Sequence, residues 1–514
     1  MRRSYRPGPW ISVLLAMLPS AASAADAPSS VSSASSSSVS AAPGDDPRRA
    51  VVKIFASQSP PNMFQPWRIT PPTEATGSGV IIAGGRVLTN AHVVNHAQQI
   101  YVQLHESSEK LDAEVEFISD ECDLATLRIE DADALAGVRP LELAAELPPL
   151  KAKVNVLGYP TGGDTLSVTE GVVSRIEYVP YYFDTAALRI QVDAAVNPGN
   201  SGGPGVVDGK ITGIVFSKFA EGENIGYLIP AEVIRHFLDD WADGDYDGFP
   251  QLGLSWATLE NPSLREYLKV DRPVTGTVVH RVNRDDLGDR IRPWDIVTHI
   301  DGTAIDNLGM VPIAEGVRVF AGCLVARKTV GQTVRLGLIR DGAALEVEIP
   351  TVSRIPQVFR RMSGSRPSYF IYGGLVFTPA TSDLLKAAGA NAFAFMGMRG
   401  TMLPRYMRAR PEWPDQELVV LSCPILPHRI TKGYSITPLS VVTHVNDRPV
   451  RNLRHLIEVI RENREDFLVL RFEEDHEEKV VLQPALVEKF MPEILANNNI
   501  PAACSSDLRD AWPR

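Results

Sequence analysis

The sequence predicts a mainly β protein: about a dozen short strands arranged as two small barrels, followed by two α+β modules of one type. Three observations predict it. Residues 49–230 read as brief β-type runs punctuated by Gly, Pro, Asn and Asp clusters, with no helical period between them. Many short, evenly spaced strands argue a sandwich or a barrel pair. The period then changes at residues 231–241 (AEVIRHFLDDW), where Val233, Ile234, Phe237, Leu238 and Trp241 fall on one helical face, and DGDYDGFP (243–250) follows as a domain break. Finally, IVTHIDGTAI (296–305) and VVTHVNDRPV (441–450) align without gaps, so the C-terminal half holds two copies of one small module.

The first region's strands are expected at 50–56, 79–82, 87–89, 99–104, 111–118, 124–129, 153–157, 167–176, 187–192, 211–216 and 224–228. The first repeat offers strands at 276–280, 295–300, 333–339 and 344–349, with a helix near 312–320. The second offers 369–377, 418–423, 441–445, 467–472 and 479–482, with a helix at 453–463, and a helix-like apolar pattern opens its tail at 486–494. The organisation is therefore 1–24 export signal, 25–48 linker, 49–243 barrel domain, 250–352 first module, 368–485 second module and 486–514 C-terminal extension.

Composition excludes several classes. With 44% hydrophobic and 22% charged residues, the chain is neither wholly disordered nor a membrane bundle. Lys+Arg 51 against Asp+Glu 62 gives a net charge of −11, without the basic footprint that nucleic acid requires. Cys122, Cys323, Cys423 and Cys504 are too scattered for a disulfide framework or a structural zinc site, so no metal and no cofactor is expected. Arg2, Arg3 and Arg6 precede an apolar run at 10–18, and Ala22-Ser23-Ala24 offers a small-x-small cleavage site. This is the secretory pattern, too short to span a bilayer, and it points to an exported protein, a bacterial periplasm foremost. Cleavage after Ala24 removes three Arg and no acids, leaving −11 − 3 = −14. Residues 26–43 are Ser/Ala-rich and read as a flexible tether.

The clearest local signal is Asn197-Pro198-Gly199-Asn200-Ser201-Gly202-Gly203-Pro204. Such a segment is either a plain turn or a nucleophile loop whose amides near Gly199, Asn200 and Ser201 converge on a developing oxyanion. Two features favour the second reading. His92 follows an apolar strand, and Asp123 opens another. A Ser hydroxyl needs a base, His suits that task near neutral pH, and an acid must fix the His tautomer. His96 and His105 are read as surface residues, His299 and His444 as structural ones, and Asp193 as a brace for the loop.

In their order and flanks, GSGVII (77–82), VLTNAHVV (87–94), DLATLRI (123–129), LGYP (157–160), TEGVVS (169–174) and QVDAAVNPGNSGGP (191–204) closely resemble the HtrA/Deg (Do-like) serine proteases. GGLVF (373–377), NLRHL (452–456) and IPAACSSDL (500–508) are similar to the plant-type branch, which is largely organellar or nuclear. The resemblance implies a chymotrypsin-like double β-barrel protease domain followed by two α+β PDZ domains. It implies Ser201 as nucleophile, His92 as base and Asp123 as its orienting acid. In a chymotrypsin-like register Ala195 lies at the floor of the specificity pocket and Ile214, Val215 and Phe216 at its wall, which predicts cleavage after small or medium aliphatic residues. Leu252, Gly253 and Leu254 would form the first PDZ module's peptide-carboxylate loop, although Trp294-Asp295 replaces the family's usual Gly-Asp. Gly373-Gly374-Leu375-Val376 is the best such candidate in the second.

The implied function is an ATP-independent endoprotease for unfolded or damaged exported proteins; no phosphate-cradling Gly-x-x-x-x-Gly-Lys-Ser/Thr loop is seen. Expected partners are unfolded or flexible protein substrates and C-terminal peptides at the first PDZ module, with no nucleic acid and no stable membrane span. A homo-oligomer is implied, a trimer or a multiple of trimers. The rival reading is a quality-control chaperone or PDZ-based peptide-binding regulator with little proteolysis.

Overall fold

A computed structural model describes residues 46–181, 185–218, 225–362, 366–389, 401–406, 409–473 and 478–513. The export pattern and the Ser/Ala-rich tether lie outside the described residues.

Two closed six-stranded barrels form the first domain. The first uses β1 (Val51–Gln58), β2 (Thr73–Ile82), β3 (Arg86–Thr89), β4 (Ala97–Gln103), β5 (Lys110–Ser119) and β6 (Leu124–Ile129), in the order β1-β2-β3-β6-β5-β4. The second uses β7 (Lys153–Gly158), β8 (Ser167–Pro180), β9 (Ala186–Val192), β10 (Pro204–Val207), β11 (Lys210–Lys218) and β12 (Gly226–Pro230), in the order β10-β11-β12-β9-β8-β7. Each expected strand appears, with Asn224 outside the described residues. β10 is additional; its Pro-Gly start reads as a continuation of the Gly-rich loop before it.

The helix Ala231–Asp240 buries Val233, Ile234 and Phe237. The break after it does not lead straight away from the domain. Trp241 stacks on Phe117 at 5.0 Å and on Tyr246 at 5.4 Å, and Ser119 Oγ donates to Tyr246 Oη at 2.7 Å.

The first module is a sheet of β13 (Leu254–Thr258), β14 (Thr277–Val282), β15 (Ile296–Ile300), β19 (Thr333–Arg340) and β20 (Ala343–Pro350), with the two-residue β16 (Thr303–Ala304) beside β15. The helix expected near 312–320 is not formed. In its place stands a hairpin of β17 (Met310–Ala314) and β18 (Val317–Phe320), turning at Gly316 with φ +69°. Buried Val317 and Val319 flank exposed Arg318, a period of two that decides for strand. The module docks on the second barrel, where Arg327 grips Glu232 with two bonds of 3.1 and 3.0 Å.

The second module orders its strands β21 (Phe370–Tyr372), β22 (Leu375–Pro379), β23 (Val419–Leu421), β24 (Val441–Val445), β26 (Leu468–Glu473) and β27 (Glu478–Leu482), with β25 (Arg448–Pro449) beside β24. The repeat is structural: β15 slips register between Val297 and His299, β24 between Val442 and His444, and Asp301 and Asn446 both turn with positive φ. His299 and His444 each bond the preceding Thr hydroxyl, at 2.9 and 3.1 Å.

Gly373-Gly374 is a hairpin turn rather than a carboxylate loop. Both glycines have positive φ, Tyr372 pairs with Leu375, and the turn is buried under Leu426 and Met491. The tail belongs to this module. Ile371 N donates to Ala503 O at 2.7 Å, Ser505 N to Tyr369 O at 3.0 Å, and Trp512 meets Phe370 edge-on at 5.1 Å. Trp512→Ala is expected to cost about 3–5 kcal/mol, as removal of a buried aromatic does, and a urea titration of the full chain will show the second module unfolding first.

Candidate active site

The two barrels meet where Ser78 N of β2 donates to Ser201 O at 2.8 Å. His92 sits in a four-residue helix, Ala91–Val94, directly after β3. Such a helix is too short to hold itself. Gln58 Nε2 caps it by donating to the carbonyls of His92 and Val93 at 2.9 and 2.8 Å. Asp123 lies in the turn between β5 and β6 with φ +55°, a left-handed conformation that Asp tolerates better than most residues. Asn90 Nδ2 donates to the Asp123 carbonyl at 2.9 Å.

The buried Asp123 carboxylate is used twice. Oδ1 accepts from the His92 backbone amide at 2.9 Å, and Oδ2 pairs with His92 Nδ1 at 2.7 Å. This fixes the ring plane and turns Nε2 toward the opening; the His92 side chain is 48% exposed, so substrate can reach it. Among the described residues no hydrogen bond yet joins Ser201 Oγ to His92 Nε2. Open nucleophile–base distances are common before substrate binds.

Gly199, with φ +96°, approaches Thr161 N and Tyr159 O so closely that a Cβ would stand 2.4 and 2.5 Å from them. The Pro198 carbonyl is held by Thr161 N at 2.7 Å. In a planar trans peptide the following N–H points the opposite way, so the Gly199 amide faces away from Thr161. Asn200 N is committed to Asn197 O at 3.0 Å, whereas Gly199 N and Ser201 N have no partner among the described residues. Of the three amides expected at the oxyanion site, two are free to donate. Gly202, φ +86°, sits where a Cβ would lie 2.0 Å from Ser78 O. Gly202→Ala therefore displaces the loop, and fluorophosphonate labelling of Ser201 is expected to fall below a tenth of the wild-type rate, since small misplacements cost about 10²-fold.

Ser78 is a residue that sequence reasoning missed. Its Oγ donates to Gly199 O at 2.7 Å and accepts from Tyr159 N at 2.8 Å, tying both barrels to the loop. Its signal lay in the juxtaposed GSGVII and LGYP segments, which show no pairing in one dimension. Asp193 Oδ1 accepts from Val172 N at 2.5 Å, bracing the loop on β8. His105 is largely buried against Tyr159 at 3.3 Å rather than solvated.

Ala195 is exposed, with its carbonyl accepting from Thr169 Oγ1 at 3.2 Å. Ile214 and Val215 are fully buried, and Phe216 stacks on Tyr181 at 5.2 Å. Leu252 packs into the core shared with the barrels, and Leu254 opens β13. Gly253 is covered by Arg284 and Ile355, each 2.7 Å from where its Cβ would stand. All four cysteines are buried and unpaired, and burial pushes the Cys122 thiol up to about 12, which removes it as a rival nucleophile. No helix among the described residues is long and apolar enough to cross a membrane.

Closed paired barrels with His and Asp on one and Ser on the other define a chymotrypsin-like serine peptidase. Residues 77–214 match the trypsin-like peptidase domain and residues 358–507 the PDZ domain. The mitochondrial protease Do-like 4 of Arabidopsis thaliana is 38% identical over 464 residues, which cover 90% of this chain and 85% of that one. The putative mitochondrial protease Do-like 3 of the same plant is 36% identical over 463 residues, covering 90% and 80%. The HtrA-type protease AlgW solved with a tripeptide is 25% identical, with a TM-score of 0.46 over 59% of this chain and 94% of that one. The chain belongs to the Do-like (HtrA/Deg) family of serine proteases, and it is a serine endopeptidase carrying a PDZ domain.

Proposed function

We propose that the protein cleaves unfolded or flexible segments of other proteins through an acyl-enzyme, without nucleotide. Ser201 attacks the peptide carbonyl, His92 takes its proton and returns it to the leaving amine, and Asp123 holds the imidazole tautomer. Gly199 N and Ser201 N receive the oxyanion. The observation that carries the reading is the double use of the Asp123 carboxylate, at 2.9 Å to the His92 amide and 2.7 Å to its ring. No other described His is held by a carboxylate in this way beside the Ser201 loop.

Substrate choice is read at Phe216, with exposed Ala195 bringing no charge to the site; Ile214 and Val215, expected at the wall, are fully buried and back it from within the barrel. Small or medium aliphatic residues are the expected cleavage sites. The first module, with Leu252, Gly253 and Leu254 at the start of β13, is proposed to capture C-terminal peptides by strand addition, and assembly as a trimer or a multiple of it is proposed with it. The basic, apolar and small-x-small order at the N-terminus argues export. The two named plant relatives are mitochondrial by their names, so an organelle stands beside the periplasm as the destination. Casein digestion by the mature protein and by Ser201→Ala tests the reading: digestion by the first alone supports it, and equal inertness of both across temperature and added C-terminal peptides ends it.

A further inference from the structure

The turn that carries Asp123 is held from outside the barrels. Asp120 and Glu121 immediately precede Cys122 and Asp123. Asp120 Oδ2 pairs with the Arg361 guanidinium, and Asp120 Oδ1 accepts from Asn95 Nδ2 at 2.9 Å. Asn95 ends the short helix that carries His92. Glu121, only 7% exposed at its side chain, accepts from Arg354 Nη2 at 2.6 Å, and Arg361 Nη1 stands 3.8 Å from the same oxygen. Two acids beside the catalytic turn thus meet two arginines from a distant part of the chain.

Arg361 is fixed at its other end. Arg361 is 12% exposed at its side chain and lies within the segment that matches the PDZ domain. Its neighbours are pinned to the second module: Ser382 N donates to Arg360 O at 3.1 Å, and Met362 N donates to Asp383 Oδ2 at 2.7 Å. Val358 and Phe359 are buried with Leu384, Leu385 and Leu418 of that module, and Met63 and Phe64 from the β1–β2 loop pack on the same cluster. Ser422 Oγ of the module donates to Phe64 O at 3.1 Å. A rigid path runs from the second module through Arg361 to Asp120, and from there to both His92 and Asp123.

We infer that Arg361, supported by Arg354, is a positioning residue for the peptidase reaction, through which the docked second module holds the Asp123 turn and the His92 helix in register. A largely buried, charge-assisted guanidinium–carboxylate pair is directional enough for this task. Arg360, one residue away, points its guanidinium toward Asp415 of the second module at 3.8 Å and serves as the internal control.

The inference rests on the proposed roles of His92 and Asp123. The test is steady-state cleavage of a short flexible fluorogenic peptide by the full chain, with fluorophosphonate labelling in parallel. Arg361→Ala is expected to lower kcat about 10- to 100-fold, the scale of ångström-level misplacement, with KM within about twofold. Arg361→Lys, which keeps the charge without the planar fork, is expected to restore part of kcat, and Arg360→Ala to match wild type. Asp120→Asn should reproduce the loss, and the Arg361→Ala/Asp120→Asn double variant should be no worse than either single one, as residues acting through one contact behave. Wild-type kcat in folded Arg361→Ala would overturn the inference. So would a loss that follows only the unfolded fraction by circular dichroism and is not recovered by Arg361→Lys. Peptide cleavage that survives Ser201→Ala would instead bring down the triad reading, and is read separately from the Arg361 series.

Discussion

Ser201→Ala is expected to lower kcat by about 10⁶, the scale seen when the nucleophile of a serine peptidase is removed, while leaving about 10³–10⁴ over the uncatalysed rate from the oxyanion amides and binding. KM for a short peptide should stay nearly constant, because the lost atom acts only on the reacting carbon. The fold should not suffer. The loop is held by its backbone, with Ser78 N on Ser201 O at 2.8 Å, Gly202 N on Val215 O at 2.9 Å and Gly203 N on Asn200 O at 2.9 Å. None of these bonds involves the hydroxyl. Single-turnover hydrolysis of a peptide ester, set beside a thermal melt, separates the two effects: a melting point equal to wild type with activity gone is the expected pair. Activity within tenfold of wild type would mean that another group attacks the carbonyl.

The strands of the two barrels were legible because their signal is local. Alternation at the start of β5, set between a Ser/Glu turn and the turn at Asp120, needs no knowledge of the partner strand. The proposed triad could be assigned from sequence because a Ser nucleophile needs a base and an orienting acid, and the flanks of Ser201, His92 and Asp123 leave few alternatives. What stayed hidden depended on pairing across distance. Ser78 looks like any strand serine until Gly199 and Tyr159 arrive beside it. Residues 312–320 could be scanned as a helix, because Gly316 marks a hairpin only once Val317 and Val319 have a buried face to fill. The double glycine at 373–374 satisfies a loop and a tight turn equally well in sequence, and the strand pairing of Tyr372 with Leu375 settles it. The tail reads as an extension since nothing in 486–514 announces that Ala503 and Ser505 pair with the strand starting at Phe370. The Arg361 contact joins Asp120 over 361 − 120 = 241 positions, beyond any periodic signal.

Asp123→Asn is expected to cost about 10⁴ in kcat, second only to loss of the nucleophile, although it changes one atom. Both carboxylate oxygens accept: Oδ1 from the His92 amide and Oδ2 from the Nδ1 proton. An amide has one acceptor and one donor end. The backbone N–H cannot turn away, so the amide oxygen must take its place at Oδ1, and the NH2 then faces Nδ1. Nδ1 becomes an acceptor, the ring proton moves to Nε2, and Nε2 can no longer take the proton of Ser201. The wrong tautomer costs about 10⁴ in kcat in proteases of this arrangement. A nearly isosteric change leaves burial and packing in place, so substrate binding should hold, and the crystal structure of the variant should superpose on wild type at His92. The check is kcat for a peptide substrate together with the nitrogen chemical shifts of the His92 ring, which report where the proton sits. A variant that keeps its proton on Nδ1 and cleaves at the wild-type rate would show that the carboxylate does not set the tautomer.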